Sequence, residues 1–297
     1  MQPPMPCPTA TWHNDTYQSI SPLRPELSAA AMPLEVHALT TITRKGSGIG
    51  QEASLAFAAA GAAHVVLLGR TEATLKETAS RVASATPAVT NSVRVCDLTK
   101  EETLRDAAAA IGTWQILIIA SGYAAQPSSI LSADMDDWWQ AFETNVKGTL
   151  LAARAFIPTA DPQHAALLGL TTGVTPMPAA YLAGLSAYVS SKLAKTKVYE
   201  YLAAENPGIF IATVHPGFVL TDIFSTTGAN PNEVPMDDKR LPAHFLVWMA
   251  SPEASFLRGR SVWANWDVDE LKALEPKITG GGLFTSGMSN WPYTPNM

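Results

Sequence analysis

At 297 residues and 31.6 kDa the chain exceeds one average domain, yet it is an ordinary size for one large α/β domain. Hydrophobic residues are 47% and charged residues 15% of the chain, which supplies a sizeable core and excludes a largely disordered protein. A net charge of -6 offers no basic surface for a phosphate backbone, so no nucleic-acid partner is expected.

Residues 1–34 contain seven prolines with polar residues between them and no sustained period, and read as an extended, wrapping arm. The first basic residue is Arg24 and no apolar stretch of signal-peptide length precedes it, so no export signal is read. Cys7 and Cys96 lie far apart, in a proline-rich leader and an apolar run, which argues against a disulfide framework and for a reducing, cytoplasmic setting. Two stretches, 107–133 and 162–191, lack formal charge, but their Gly, Gln, Thr and Pro residues argue against membrane spans.

After the arm, strand and helix patterns alternate. A strand over 36–43, a Gly-rich turn, a helix over 49–60 and a strand over 63–68 form a βαβ unit. A helix over 72–84, a strand over 92–95, a helix over 101–111 and a strand over 114–120 follow. A long, interrupted helix over 135–156 leads to a strand over 165–170, a helix over 186–204, a strand over 209–214 and a last strand near 260–266. Seven strands separated by helices, several nearly all apolar, predict a parallel sheet covered on both faces. The fold class is therefore α/β, a doubly wound sheet in one domain over 35–270, with a tail over 271–297.

Three constellations carry chemistry. The stretch Thr43-Arg44-Lys45-Gly46-Ser47-Gly48-Ile49-Gly50 falls between the first strand and first helix, where glycines permit close approach of a pyrophosphate and the helix N-terminus offers N–H donors. The second strand ends at Arg70, where a guanidinium can pair with an adenosine 2′-phosphate, favouring NADP over NAD. Tyr188 and Lys192 stand at i and i+4 on a predicted helix and so share a face; the ammonium favours the phenolate and lowers the tyrosine pKa from about 10.

With these residues in order, the chain resembles the short-chain dehydrogenase/reductase family from about residue 36 to 266. The family's glycine motif matches Thr43, Gly48, Ile49 and Gly50, and its adenine-contacting acid matches Asp97, followed by Leu98. The helix asparagine that holds a proton-relay water matches Asn145, and the strand-end glycine matches Gly122. The stretch that embraces the nicotinamide matches Pro216, Gly217, Phe218, Val219, Leu220 and Thr221. The resemblance implies a Rossmann-type fold, NADPH as cofactor, Tyr188 as proton donor to a substrate carbonyl, and Lys192 holding the nicotinamide ribose. The expected serine falls at Thr171-Thr172; Thr172 is the choice and Thr175 the fallback. Trp12-His13-Asn14-Asp15 and Trp263-Ala264-Asn265-Trp266-Asp267 look like a branch common in fungal natural-product pathways.

The chain departs from the family pattern where Arg44 replaces the first glycine of the motif and where Ile119-Ala120-Ser121 replace the family's two asparagines and alanine before Gly122. Either Gly46 gives the loop another path, with Arg44 and Lys45 contacting phosphate, or dinucleotide binding is weakened. The leading expectation is an NADPH-dependent reductase of a small hydrophobic, cyclic or aromatic ketone in secondary metabolism. The alternatives are a non-redox catalyst of cyclisation, dehydration or isomerisation on the same fold, and a non-catalytic scaffold. Residues 222–242 match the place of a substrate lid. Six histidines show no ligand spacing, so no metal is expected. His215 reads as a structural residue, and association as a homodimer or homotetramer follows from the resemblance alone.

Overall fold

The structure, a computed structural model, describes residues 7–28, 37–41 and 48–287. Seven strands form one parallel sheet: β1 (His37–Thr41), β2 (His64–Gly69), β3 (Thr90–Val95), β4 (Ile116–Ile119), β5 (Ala166–Leu170), β6 (Phe210–His215) and β7 (Ser261–Trp263). Their order in space is β3-β2-β1-β4-β5-β6-β7. The chain runs outward from β1 to β3, then returns to place β4 on the other side of β1, pairing Leu39 with both Val66 and Leu117. The carboxyl ends of β1 and β4 therefore flank a topological switch point, where such sheets open a crevice.

The helices in chain order are α1 (Ile49–Ala59), α2 (Glu72–Ala85), α3 (Glu101–Ile111), α4 (Met135–Phe142), α5 (Gly148–Phe156), α6 (Ser186–Glu205), α7 (Asp222–Thr226), α8 (Arg240–Met249), α9 (Val268–Ala273) and α10 (Glu275–Thr279). Alternation along the strands sorts the core into two layers. Val65, Leu67, Ile116 and Ile118 pack with Phe57 of α1, Leu75 of α2 and Phe245 of α8. Val66, Leu68, Leu117 and Ile119 pack with Leu104 of α3, Phe156 of α5 and Tyr199 of α6. Both faces of the sheet are thereby dry, which is why the strands read as continuous apolar runs.

The interrupted helix expected over 135–156 is α4 and α5 joined by a π-helical turn at Glu143–Lys147. Asp134 starts α4 by accepting from the N–H groups of Asp136 and Asp137 at 2.9 and 3.1 Å. The sequence reading placed no helix over α8. Its sequence is apolar nearly all round, so no amphipathic stripe marks it, and Pro242 reads as a breaker although the first helical turn tolerates proline. Its Leu241, Phe245, Leu246, Trp248 and Met249 are fully buried, each burial contributing about 1.5–3 kcal/mol. The boundary expected at residue 270 falls inside α9, and Leu271 and Ile278 are buried in the main core.

Within the arm, residues 7–28 make two short 3-10 turns and bury Trp12, Ile20 and Leu27 against the same core. On the other layer, Gly169 of β5 lies under the Tyr199 ring, which occupies the space a Cβ would need. Gly169→Ala is expected to cost about 1–3 kcal/mol by overpacking, read as a lower denaturant midpoint with an unchanged slope.

Candidate active site

A cavity of about 630 Å³ opens at the switch point. Gly48, Ile49 and Gly50 border it at the start of α1. Gly48 has φ +101°, a conformation that suits glycine and bares the first N–H groups of the helix. Toward the β3 edge the wall is formed by exposed Arg70, at the end of β2, and by Asp97 and Leu98 after β3. The Asp97 carboxylate accepts from the Thr99 N–H at 2.9 Å and hydroxyl at 2.8 Å, which fixes the turn. Toward β7 the wall is formed by Pro216, Gly217, Val219 and Thr221. Thr43, Arg44 and Gly46, with the departure at Arg44, lie outside the described residues.

Thr172, Tyr188 and Lys192 meet at this β5–β6 side of the cavity. Tyr188 and Lys192 stand one turn apart on α6, with Lys192 Nζ 5.7 Å from the phenol ring centroid. Lys192 Nζ donates to the Leu170 carbonyl at the end of β5, at 3.0 Å. The Thr172 side chain is hydrogen-bonded to Tyr188, whereas Thr175 donates to the Thr172 carbonyl at 3.1 Å and does not line the cavity.

The expected lowering of the Tyr188 pKa is not what the site produces. Burial pushes the phenol up to about 12, and the Thr172 hydrogen bond only partly opposes it. Burial also pulls Lys192 down to about 8. Desolvation dominates both shifts because the two groups are buried away from water.

Asn145, in the π-helical turn, sits behind the cavity wall and is fully buried. Its Oδ1 accepts from the Tyr123 N–H at 2.9 Å, and its Nδ2 donates to the Tyr123 carbonyl at 2.8 Å and to Ser191 Oγ at 2.9 Å. The loop after β4, which lacks the family's asparagine, is thus pinned from the helix. Gly122 permits this packing: a Cβ there would lie 3.2 Å from Lys192 Nζ and 3.3 Å from Asn145 Oδ1.

Sequence reasoning missed Ser191 and Thr196. Ser191 donates to the Tyr188 carbonyl at 2.9 Å, and Thr196 donates to the Lys192 carbonyl at 3.0 Å while meeting Thr171 Oγ1 at 2.9 Å. Small hydroxyl residues inside a helix carry no distinguishing signal, and only the fold shows that they anchor the cavity-facing turns of that helix. His215 also borders the cavity; burial holds its imidazole neutral, with a pKa near 3. Its ring packs edge-on against Trp263 at 4.5 Å and Phe218 at 5.8 Å. None of Trp138, Trp139, Trp248, Trp263 and Trp266 lines the cavity.

Val174, Met177, Leu182, Leu185, Ile223 and Phe224 make the outer part of the cavity apolar. The last two belong to α7, so the region expected as a lid does border the site. No described helix is long and apolar enough to cross a membrane, and no metal-binding cluster occurs among the described residues.

Comparison with known proteins agrees with this geometry. The family model for short chain dehydrogenases matches residues 38–232. A short chain dehydrogenase/reductase of Claviceps purpurea is 32% identical over 289 residues, covering 94% of this chain and 93% of that protein. The short chain dehydrogenase pigC of Monascus ruber is 31% identical over 287 residues, covering 92% and 91%. Among solved structures, a short chain dehydrogenase of Salmonella enterica superposes with TM-score 0.71 at 21% identity, covering 81% of this chain and 98% of that one. A Shigella flexneri short chain dehydrogenase complexed with NADP gives 0.70 at 20%, covering 81% and 99%. A glycine turn at the switch point, a tyrosine and lysine one turn apart on α6, and relatives matched over nearly their full length place the chain in the short-chain dehydrogenase/reductase family of oxidoreductases.

Proposed function

We propose that the protein is an NADPH-dependent carbonyl reductase acting on a small, apolar ketone. The observation that carries this reading is the meeting of Thr172, Tyr188 and Lys192 in one cavity that continues to Arg70. The cavity's lining suits a dinucleotide: Gly48 bares helix N–H groups that could take a pyrophosphate, Gly122 leaves room beside Lys192, and Arg70 on the wall offers a guanidinium that could pair with a 2′-phosphate. When bound, NADPH supplies the hydride that reduces the carbonyl carbon.

The chain's own residues handle the oxygen. Thr172 and Tyr188 hydrogen-bond the substrate carbonyl, and Tyr188 gives its phenolic proton to the oxygen as negative charge develops there. A phenol held near 12 is fully protonated at neutral pH and ready to donate. Lys192, anchored on Leu170, stabilises the phenolate that remains and orients the nicotinamide ribose. Asn145 keeps the floor beneath them in place by bonding both backbone groups of Tyr123. On the family resemblance, Asp97 and Leu98 would receive the adenine, and Pro216, Gly217, Val219 and Thr221, which line the same cavity, the nicotinamide.

The apolar side chains around the outer cavity select a hydrophobic cyclic or aromatic substrate over a charged metabolite. The fungal relatives fit the sequence's likeness to a branch common in fungal natural-product pathways. Half-exposed Trp139 on α4, Leu150 on α5, and Leu193 and Tyr201 on α6 supply an apolar face for a homodimer or homotetramer.

NADPH is expected to bind well above NADH in calorimetry. Arg70→Ala should weaken NADPH about tenfold or more and leave NADH nearly unchanged, since a charge-assisted pair to phosphate is lost in one case only. Failure of the protein to bind either dinucleotide would falsify the redox reading.

A further inference from the structure

The family match covers residues 38–232, yet the turn assigned to the nicotinamide is held by residues on both sides of that span. Asp237 brackets Phe218. Its Oδ2 accepts from the Phe218 N–H at 2.7 Å, and its own N–H donates to the Phe218 carbonyl at 2.9 Å. Its carboxylate is seated under Gly217, where φ is +85° and a Cβ would run into the carboxylate oxygen. The turn's shape and the carboxylate's place are therefore mutually fixed.

The other carboxylate oxygen faces the arm. Asp237 Oδ1 accepts from Asn14 Nδ2 at 2.6 Å and from Asn265 Nδ2 at 2.9 Å. Asn265 Nδ2 also donates to the His13 carbonyl at 2.9 Å, the His13 N–H donates to the Asn265 carbonyl at 2.9 Å, and the Asp238 N–H donates to the Asn14 carbonyl at 2.8 Å. The arm is clamped on either side of Asn14. Before it, Trp12 packs edge-on against Trp263 at 5.9 Å; after it, Tyr17 stacks on His13 at 3.5 Å and donates to the Trp266 carbonyl at 3.2 Å. The His13 ring itself meets Asp267 at 2.9 Å.

Among the described residues no ion pair reaches Asp237. A buried carboxylate without a cation must be solvated by neutral donors, and each one carries a larger share than it would at a surface. Two of the three donors, Asn14 and Asn265, come from the arm and the segment it covers, and the third is the Phe218 amide.

We propose that Asp237 is a positioning residue that sets the Gly217–Phe218 turn, and that Asn14 of the N-terminal arm holds Asp237 in place. The arm is thereby a working part of the nicotinamide end of the site. The coupling of arm to turn stands on this geometry; its effect on the cofactor rests on the reductase reading.

The test has two arms. Hydrogen exchange of the 216–224 segment, measured without any ligand, is expected to speed up about tenfold in Asn14→Ala and to stay unchanged in Asp15→Ala. Asp15→Ala removes the exposed 2.9 Å pair with Arg240 and the local 2.7 Å bond from the Thr16 N–H, next along the arm, and touches neither Asp237 nor Asn265. In calorimetry, Asn14→Ala should weaken NADPH about tenfold and leave adenosine 2′,5′-bisphosphate, which reaches only the adenosine end, within about twofold. Unchanged exchange in a folded Asn14→Ala overturns the coupling, whatever the cofactor does. An equal loss of both ligands overturns the assignment to the nicotinamide end and marks general loosening instead. Wild-type protein that binds no NADPH defeats the reductase reading, and the exchange arm then decides the coupling alone. Should Asn14→Ala not fold, Asp237→Asn, which keeps the volume and loses the charge that gathers the donors, carries the same two measurements with the same outcomes.

Discussion

Tyr188→Phe should lower turnover of a ketone substrate by about 10²–10⁴-fold, the range for removing a positioned proton donor, while NADPH affinity stays within about twofold. The reasoning rests on what the substitution leaves intact. The ring keeps its volume in a site where Tyr188 is only 9% exposed, and Ser191 still anchors the backbone of that turn of α6. Only the hydroxyl that bonds Thr172 disappears. Steady-state kinetics with a cyclic ketone, paired with cofactor titration, separates the two quantities. A variant that turns over as fast as the parent would remove Tyr188 from its role.

The second large effect concerns Lys192. With the ammonium held near 8 by burial, reduction should be level at lower pH and decline as pH rises through about 8, because the deprotonated amine no longer stabilises a phenolate. Lys192→Met should lower kcat about 100-fold and abolish that alkaline limb. The same substitution reports on stability in the opposite sense. The unfolded chain keeps the lysine proton up to about 10.5, the folded one only to about 8. Below pH 8 the buried ammonium therefore costs folding about 3 kcal/mol, and the cost fades between pH 8 and 10.5. Methionine removes that cost but orphans the Leu170 carbonyl, a loss of about 1–3 kcal/mol. The two nearly cancel, so the inactive variant should melt no lower than the parent at pH 7. A marked fall in melting temperature would show that Lys192 serves the fold rather than the chemistry.

Much of this architecture was legible in the sequence because parallel sheets write themselves plainly. The run His-Val-Val-Leu-Leu-Gly of β2, buried on both faces, could not be mistaken for a solvated strand, and α3 was read to its ends because Glu101 opens it and Gly112 closes it. The residues of the candidate site were found by their positions after strands, and the structure gathers Thr172, Tyr188 and Lys192 around one cavity. Three things escaped. Helix α8 is apolar all round, so periodicity is silent where burial is complete. The titration of Tyr188 was misjudged because a sequence shows a neighbouring charge but not the loss of water around it. The partnership of Asn14, Asp237 and Asn265 has no local signature at all, since its members are separated by 223 and 28 residues and meet only in the finished fold.

That separation has a consequence for how the protein is made. The arm is synthesised before the residues that receive it, Asp237, Asn265 and Asp267, which follow it by more than 220 residues. Contacts that close loops of more than 220 residues carry a large closure entropy, so they are expected to form late, after the sheet between them. The βαβ units can thus assemble in order while the Gly217–Phe218 turn waits for the arm and the segments that receive it. A chain that lacks Asp237 would carry Tyr188 and Lys192 without the brace beneath Gly217, so, on the proposed coupling, competence for the cofactor would come with that late contact rather than with the sheet.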